Sequence, residues 1–172
     1  MILCAGEALI DMLPRQTEAG EAAFAPYPGG SVFNTAIALA RLGVHPEFFT
    51  GLSTDLFGER LQGVLTANGV GYGLAARSSR PTTLAFVTLT DGQASYAFYD
   101  EQTAGRMLTE AELPAIPDLT QACFFGGISL AVEPCADAYA ALVTRASADH
   151  LVMVDPNRSE EHTSELQSLT NL

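Results

Sequence analysis

The amino-acid sequence predicts an α/β fold, and three observations carry the prediction. Apolar runs without helical spacing alternate with amphipathic stretches, a glycine turn joins the first run to an alanine-rich helix, and a hairpin signal interrupts the alternation. The 172 residues are 48% hydrophobic and 16% charged, which suits one domain with a core of its own. No run of about 18 apolar residues occurs, so no membrane partner is expected. A formal net charge of −12, with 8 Lys and Arg, argues against nucleic acid, whose phosphates need clustered cations. The start lacks a basic leader, and Cys4, Cys123 and Cys135 lack metal-ligand spacing. Reduced thiols in the cytoplasm, and no metal site, are the expectation.

In chain order, Ile2 to Asp11 is an apolar run that ends at an acid, read as a buried strand delivering the Asp11 carboxylate at its tip. Pro28-Gly29-Gly30-Ser31-Val32-Phe33-Asn34 then leads into a helix from Thr35 to Leu42. Glycine lets a backbone approach a ligand closely, and a helix start offers N–H groups without internal partners. Such a turn can hold a polar small molecule, with Asn34 adding a donor and an acceptor. The same residues also make an ordinary loop, and both readings stand on sequence alone.

Gly43 stops the helix, and Phe48-Phe49-Thr50-Gly51 reads as a second strand. Leu56, Phe57, Leu61, Val64 and Leu65 recur at helical spacing before an Asn68-Gly69 C-cap. Thr83 to Thr90 and Ser95 to Tyr99 flank Asp91-Gly92 as a hairpin. Thr109-Glu110-Ala111-Glu112 has the cap and acidic first turn of a short helix. Cys123 to Leu130 reads as a buried strand running into a glycine turn. An amphipathic helix from Glu133 to Ser147, with Tyr139, Leu142 and Val143 on one side, precedes a last strand ending in Asp155-Pro156-Asn157.

This wording resembles the amino-terminal half of the ribokinase-like, or PfkB, carbohydrate kinases, nearest to bacterial fructokinases. The resemblance rests on Gly6-Glu7-Ala8-Leu9-Ile10-Asp11, on Gly29-Gly30 with Asn34, on Thr54-Asp55-Leu56-Phe57-Gly58 and on Asp155-Pro156-Asn157, in that order. Val32 and Ser53 depart from the family pattern, and the arginine that usually follows the last triplet after one residue is missing. The resemblance implies a three-layer Rossmann-type sheet with a small β-lid, its strands within about 72–100. The resemblance also implies that the lid folds over the sugar and can pair with a second subunit's lid in a homodimer. It implies phosphorylation of fructose to fructose 6-phosphate with ATP and Mg2+. Asp11, Gly29, Gly30, Asn34, Phe98, Tyr99 and Asn157 are the substrate-binding residues it implies. Asp100 stands where several relatives carry arginine, which tells against an acidic sugar such as 2-keto-3-deoxygluconate, the alternative substrate.

The family places its catalytic base in a Gly-Ala-Gly-Asp turn, which occurs nowhere in these 172 residues. Residues 1–157 are therefore expected to be the amino-terminal part of a truncated domain, with no catalytic residue of its own. Arg158 to Leu172 breaks the apolar rhythm and resembles a translated sequencing-library adapter, one frame of which encodes Arg158 through Ser168. A genuine polar helix, helped by Glu160, Glu161 and Glu165, is the competing reading. His45, His150 and His162 read as structural or exposed. A dinucleotide-binding oxidoreductase would need Gly-x-Gly-x-x-Gly after the first strand, where only Gly6 stands. A non-catalytic sugar-binding or lid-mediated interaction module accounts for every residue present.

Overall fold

The computed structural model describes residues 1–90 and 93–157. The Asp91-Gly92 turn, and residues 158–172 with both readings of them, lie outside the described residues. In chain order the elements are β1 (Ile2–Ala5), β2 (Leu9–Gln16), β3 (Ala22–Gly29), α1 (Ser31–Arg41), β4 (Pro46–Phe49), β5 (Gly51–Ser53) and α2 (Leu56–Ala67). They continue with β6 (Ala76–Ser78), β7 (Leu84–Thr90), β8 (Gln93–Tyr99), β9 (Ala122–Gly126), α3 (Cys135–Ala146) and β10 (Leu151–Asp155). Short 3-10 turns stand at Glu110–Glu112 and Ile128–Leu130. No helix among the described residues is long and apolar enough to cross a membrane.

A parallel sheet in the order β10-β9-β1-β4 forms the centre. Its inner strands β9 and β1 are apolar without alternation because both of their faces are covered. On one face Cys4 and Phe48 pack against Phe33 and Ile37 of α1 and Leu61 and Leu65 of α2. On the other, Leu3, Ala5, Phe49 and Phe125 pack against Tyr139 and Leu142 of α3. This is the three-layer arrangement that the resemblance implies. Phe33–Phe48 and Phe49–Tyr139 meet edge to face at 5.8 and 6.0 Å, so each aromatic adds a favourable ring geometry to its buried area. At the sheet's edge, β10 pairs with β9 alone among the described strands and leaves Leu151, Met153 and Val154 more than half exposed.

Two of the three helices begin where a side chain satisfies their free amides, whereas α3, with Pro134 at its N-cap, has no side-chain cap. Asp55 accepts from Gly58 N at 2.7 Å to start α2, and Asn68 with Gly69 (φ +71°) ends it, as the spacing predicts. Thr109 and Glu112 close a reciprocal capping box around the first 3-10 turn. By contrast α1 begins at Ser31, four residues before the expected Thr35. Gly30 at its N-cap has no side chain, and the cap comes from Glu7, distant in sequence.

Two further expectations are corrected. The Ile2 to Asp11 run is not one strand: it breaks at Gly6 to Ala8, and Asp11 lies inside β2, in a different sheet. The second sheet, here labelled the lid, is ordered β3-β2-β7-β8, and half of its strands come from residues 9–29, outside the 72–100 expected for lid strands. Pro14, Pro26 and Pro28 concealed this hairpin. Proline removes a ladder donor, but β3 is an edge strand, and Pro14 lies beyond Met12, where the β2–β7 pairing ends. Within 72–100, β6 pairs with β5 and does not belong to the lid.

Candidate functional site

A cleft of about 410 Å³ opens between the lid and the C-terminal ends of the parallel strands. Asp11, Gly30, Phe98 and Asn157, four of the expected residues, line it together with Glu7, Leu9, Tyr96 and Ile128. Strand pairing explains the lid's contribution. Asp11 stands opposite Ala85, and Ala85 opposite Phe98, so all three share one face of the sheet. Successive residues of a strand point to opposite faces, which sends Tyr99 to the other side. There it meets Phe86 edge on at 5.3 Å, away from the cleft. Tyr96, two residues before Phe98, takes the position that had been expected of Tyr99. Its ring lies 6.0 Å from that of Phe98 at an interplanar angle of 17°.

Asn34 also lies elsewhere, on the exposed side of α1, in a separate groove with Phe33, Ala38 and Arg41. Gly29 does not line the cleft. Its lack of a side chain makes room for the Asp11 carboxylate, which occupies the place of a Cβ. Gly30, at φ +114°, avoids the Glu7 carbonyl oxygen, which a Cβ would approach to 2.7 Å. The glycine pair thus admits two acidic residues of the chain itself, where a close ligand contact was expected.

Those two acids are held differently. Glu7 Oε1 accepts from Ser31 N at 2.7 Å, from the Ser31 hydroxyl at 2.5 Å and from Val32 N at 3.4 Å, and Oε2 accepts from the Ser129 hydroxyl at 3.3 Å. It is a fixed anion at the positive end of α1. Gly127, at φ +72°, is required because a Cβ there would overlap the Glu7 carboxylate. Asp11, half-buried, has its carboxyl pushed above the ordinary range by burial, with no hydrogen bond among the described residues to offset it. Its oxygens are free to accept from a ligand.

Sequence reasoning missed Glu7 and Tyr96. The signals were a glycine N-cap that needs an acid from elsewhere, and the two-residue period counted back from Phe98.

At the lid root, Asp55 also accepts from Thr82 N at 2.8 Å and the Thr82 hydroxyl at 2.6 Å. Burial alone would raise its carboxyl, but the bonds from Thr82 and Gly58 outweigh it and hold the carboxyl below its ordinary range. Asn157, at φ +49°, donates its N–H to Asp155 Oδ1 at 2.8 Å and so ends the β10 strand at the cleft.

Neutral hydroxyls suit this cleft better than phosphates. No Lys or Arg among the described residues lines it, and the Ser31 and Val32 amides at the start of α1 are already taken by Glu7. Nor do three His, Cys, Asp or Glu side chains converge among the described residues as a metal would need. The described residues therefore do not fit a nucleotide's phosphates or their metal ion.

The model of the pfkB family carbohydrate kinases matches residues 1–172. A fructokinase of Rhizobium leguminosarum bv. trifolii is 56% identical over 157 residues, covering 91% of this chain and 48% of the relative. Fructokinase-1 of Oryza sativa subsp. japonica is 40% identical over 169 residues, covering 93% and 52%. Among solved structures, fructokinase with bound ATP from Xylella fastidiosa superposes with a TM-score of 0.83 at 31% identity, covering 92% of this chain and 52% of that one. Fructokinase of Vibrio cholerae O395, bound to fructose, ADP and calcium ion, gives a TM-score of 0.77 at 26% identity over 99% and 55%. The chain spans about half the length of these relatives. With the three-layer sheet, the lid and the acidic cleft in place, the match over its whole length means that the chain belongs to the pfkB family of carbohydrate kinases.

Proposed function

We propose that this chain is the sugar-recognition half of an ATP-dependent kinase that converts fructose to fructose 6-phosphate. The observation that carries the reading is the Asp11 carboxylate facing the cleft, unpartnered among the described residues, in a chain 56% identical to a fructokinase. A carboxylate can accept hydrogen bonds from two adjacent hydroxyls, which suits a neutral sugar. Phe98 and Tyr96 lie on the same sheet face and offer apolar surface to the carbon side of the ring. The Asn157 side chain adds an amide donor and acceptor at the opposite wall. Among the described residues the cleft holds no cation for the carboxylate of 2-keto-3-deoxygluconate, which leaves fructose ahead of that substrate.

ATP with Mg2+ supplies the phosphoryl group in this reading, held by parts of the family fold other than the residues described here. The base would likewise come from the family's Gly-Ala-Gly-Asp turn, so the 172 residues alone bind sugar without phosphorylating it. The same reading places the protein in the cytoplasm, as its three buried free thiols favour. It also pairs the lid with that of a second copy, for which the exposed Phe24 and Tyr99 supply apolar surface.

Titration of the isotope-labelled chain with fructose tests the recognition step. Amide shifts at Asp11, Gly30, Tyr96, Phe98 and Asn157 are expected to move together. Shifts confined to other surfaces would remove the cleft from sugar recognition, and identical shifts with 2-keto-3-deoxygluconate would remove its preference for fructose.

A further inference from the structure

We propose that a narrow cavity at the root of the lid is a built site for one buried water molecule, held by the Thr50 hydroxyl. Thr50 follows β4 and is fully buried, yet its Oγ1 has no hydrogen-bond partner among the described residues. A buried hydroxyl without a partner is costly, and native proteins satisfy such groups with ordered water when space and further polar atoms allow. Both conditions hold here. The cavity has about 20 Å³ available to the centre of a water molecule, enough for one.

Its wall carries the other partners that water needs. Glu7 Oε2 has one long bond, from Ser129 at 3.3 Å, and keeps room to accept another. The Thr83 hydroxyl donates to Thr103 Oγ1 at 2.9 Å and retains its acceptor capacity. The Tyr139 phenol gives its proton to the Gly6 carbonyl at 3.2 Å. Thr50 stands near enough to moderate the Tyr139 pKa, which burial raises, without a bond of proper geometry between them. The bound water would accept from the Thr50 hydroxyl and donate to Glu7 and Thr83, three hydrogen bonds in all.

The position gives the site a consequence. Ala8 precedes β2, Thr83 precedes β7 and Asp100 follows β8, so the cavity lies where the lid strands enter and leave the body of the protein. Glu7 and Ile128 wall both this cavity and the acidic cleft. The water thus joins the lid root to the end of the parallel sheet, behind the face that receives the ligand.

Thr50→Val in the 172-residue chain tests the site, because valine keeps the shape and removes the hydroxyl. With a bound water, the unfolding midpoint falls by about 2–4 °C and the protein loses a long-lived water cross-peak to the residue 50 methyl group. In a dry cavity the hydroxyl is an unsatisfied burden, and its removal leaves the midpoint unchanged or raises it. That result, or the absence of a long-lived water near Thr50 in the unsubstituted protein, overturns the proposal. Should Thr50→Val fail to fold, the water cross-peak in the unsubstituted protein decides alone: its presence supports the site and its absence overturns it.

Discussion

Asp11 and Glu7 stand four residues apart and line one cleft, but their surroundings give them different work. Glu7 holds the start of α1 through Oε1, which cannot exchange the Ser31 and Val32 donors for a ligand's hydroxyls without uncapping the helix. Asp11 has no such commitment. In a restored full-length enzyme, Asp11→Ala is expected to lower kcat/KM for fructose by about 2–3 kcal/mol, roughly 30- to 150-fold, with the fold intact. Steady-state kinetics on the folded variant check this, and an unchanged value removes Asp11 from the site. The pH dependence follows from the same burial. Asp11 must be ionised to accept two hydroxyls, and its carboxyl titrates above the ordinary range. Sugar affinity is therefore lost on acidification sooner than an exposed aspartate, with a pKa of about 3.9, would allow. A binding titration between pH 4 and 7 reads the difference. Asp11 was legible in the sequence because an acid after an apolar run matches a family motif. The exchange of Tyr99 for Tyr96 was not, because the register of β8 against β7 sets which face each aromatic takes.

Among the elements, α2 and the lid root share one carboxylate. Asp55 caps α2 through Gly58 and holds Thr82, just before β7, by two hydrogen bonds. Asp55→Ala is expected to destabilise the chain by about 2–3 kcal/mol, summing a lost cap with the loss of bonds to a charged group. Denaturant unfolding of the variant measures it. The sign with pH is fixed by the lowered carboxyl: folding favours the ionised form, so the stabilisation is present above about pH 3.9 and disappears as pH falls through the folded pKa. The unsubstituted protein should lose this increment on acidification, and Asp55→Ala should not. Both long helices, α2 and α3, and the β7–β8 hairpin were legible from apolar spacing and turn residues. The β2–β3 hairpin was hidden by prolines that only an edge position tolerates, and the start of α1 by a cap supplied from 24 residues away.

At the scale of the whole molecule, the three-layer sheet was legible because buried parallel strands are apolar on both faces, a pattern that survives without any register information. The exposed apolar residues of β10 mark where that sheet lacks a cover among the described residues. Residues 158–172 carry no apolar stripe that could supply one. Deleting them is expected to leave the unfolding midpoint unchanged within error; a deletion that unfolds the protein would make this segment structural and overturn the adapter reading.

The central claim, that this chain supplies sugar recognition to a kinase it cannot complete alone, is tested by joining residues 1–157 to the carboxy-terminal half of the Rhizobium leguminosarum fructokinase. A coupled assay of the purified chimera should show fructose-dependent release of ADP from ATP, sharply reduced by Asp11→Ala, while the 172-residue chain shows none. A folded chimera without fructose-dependent turnover, or turnover by the 172-residue chain alone, would contradict the account.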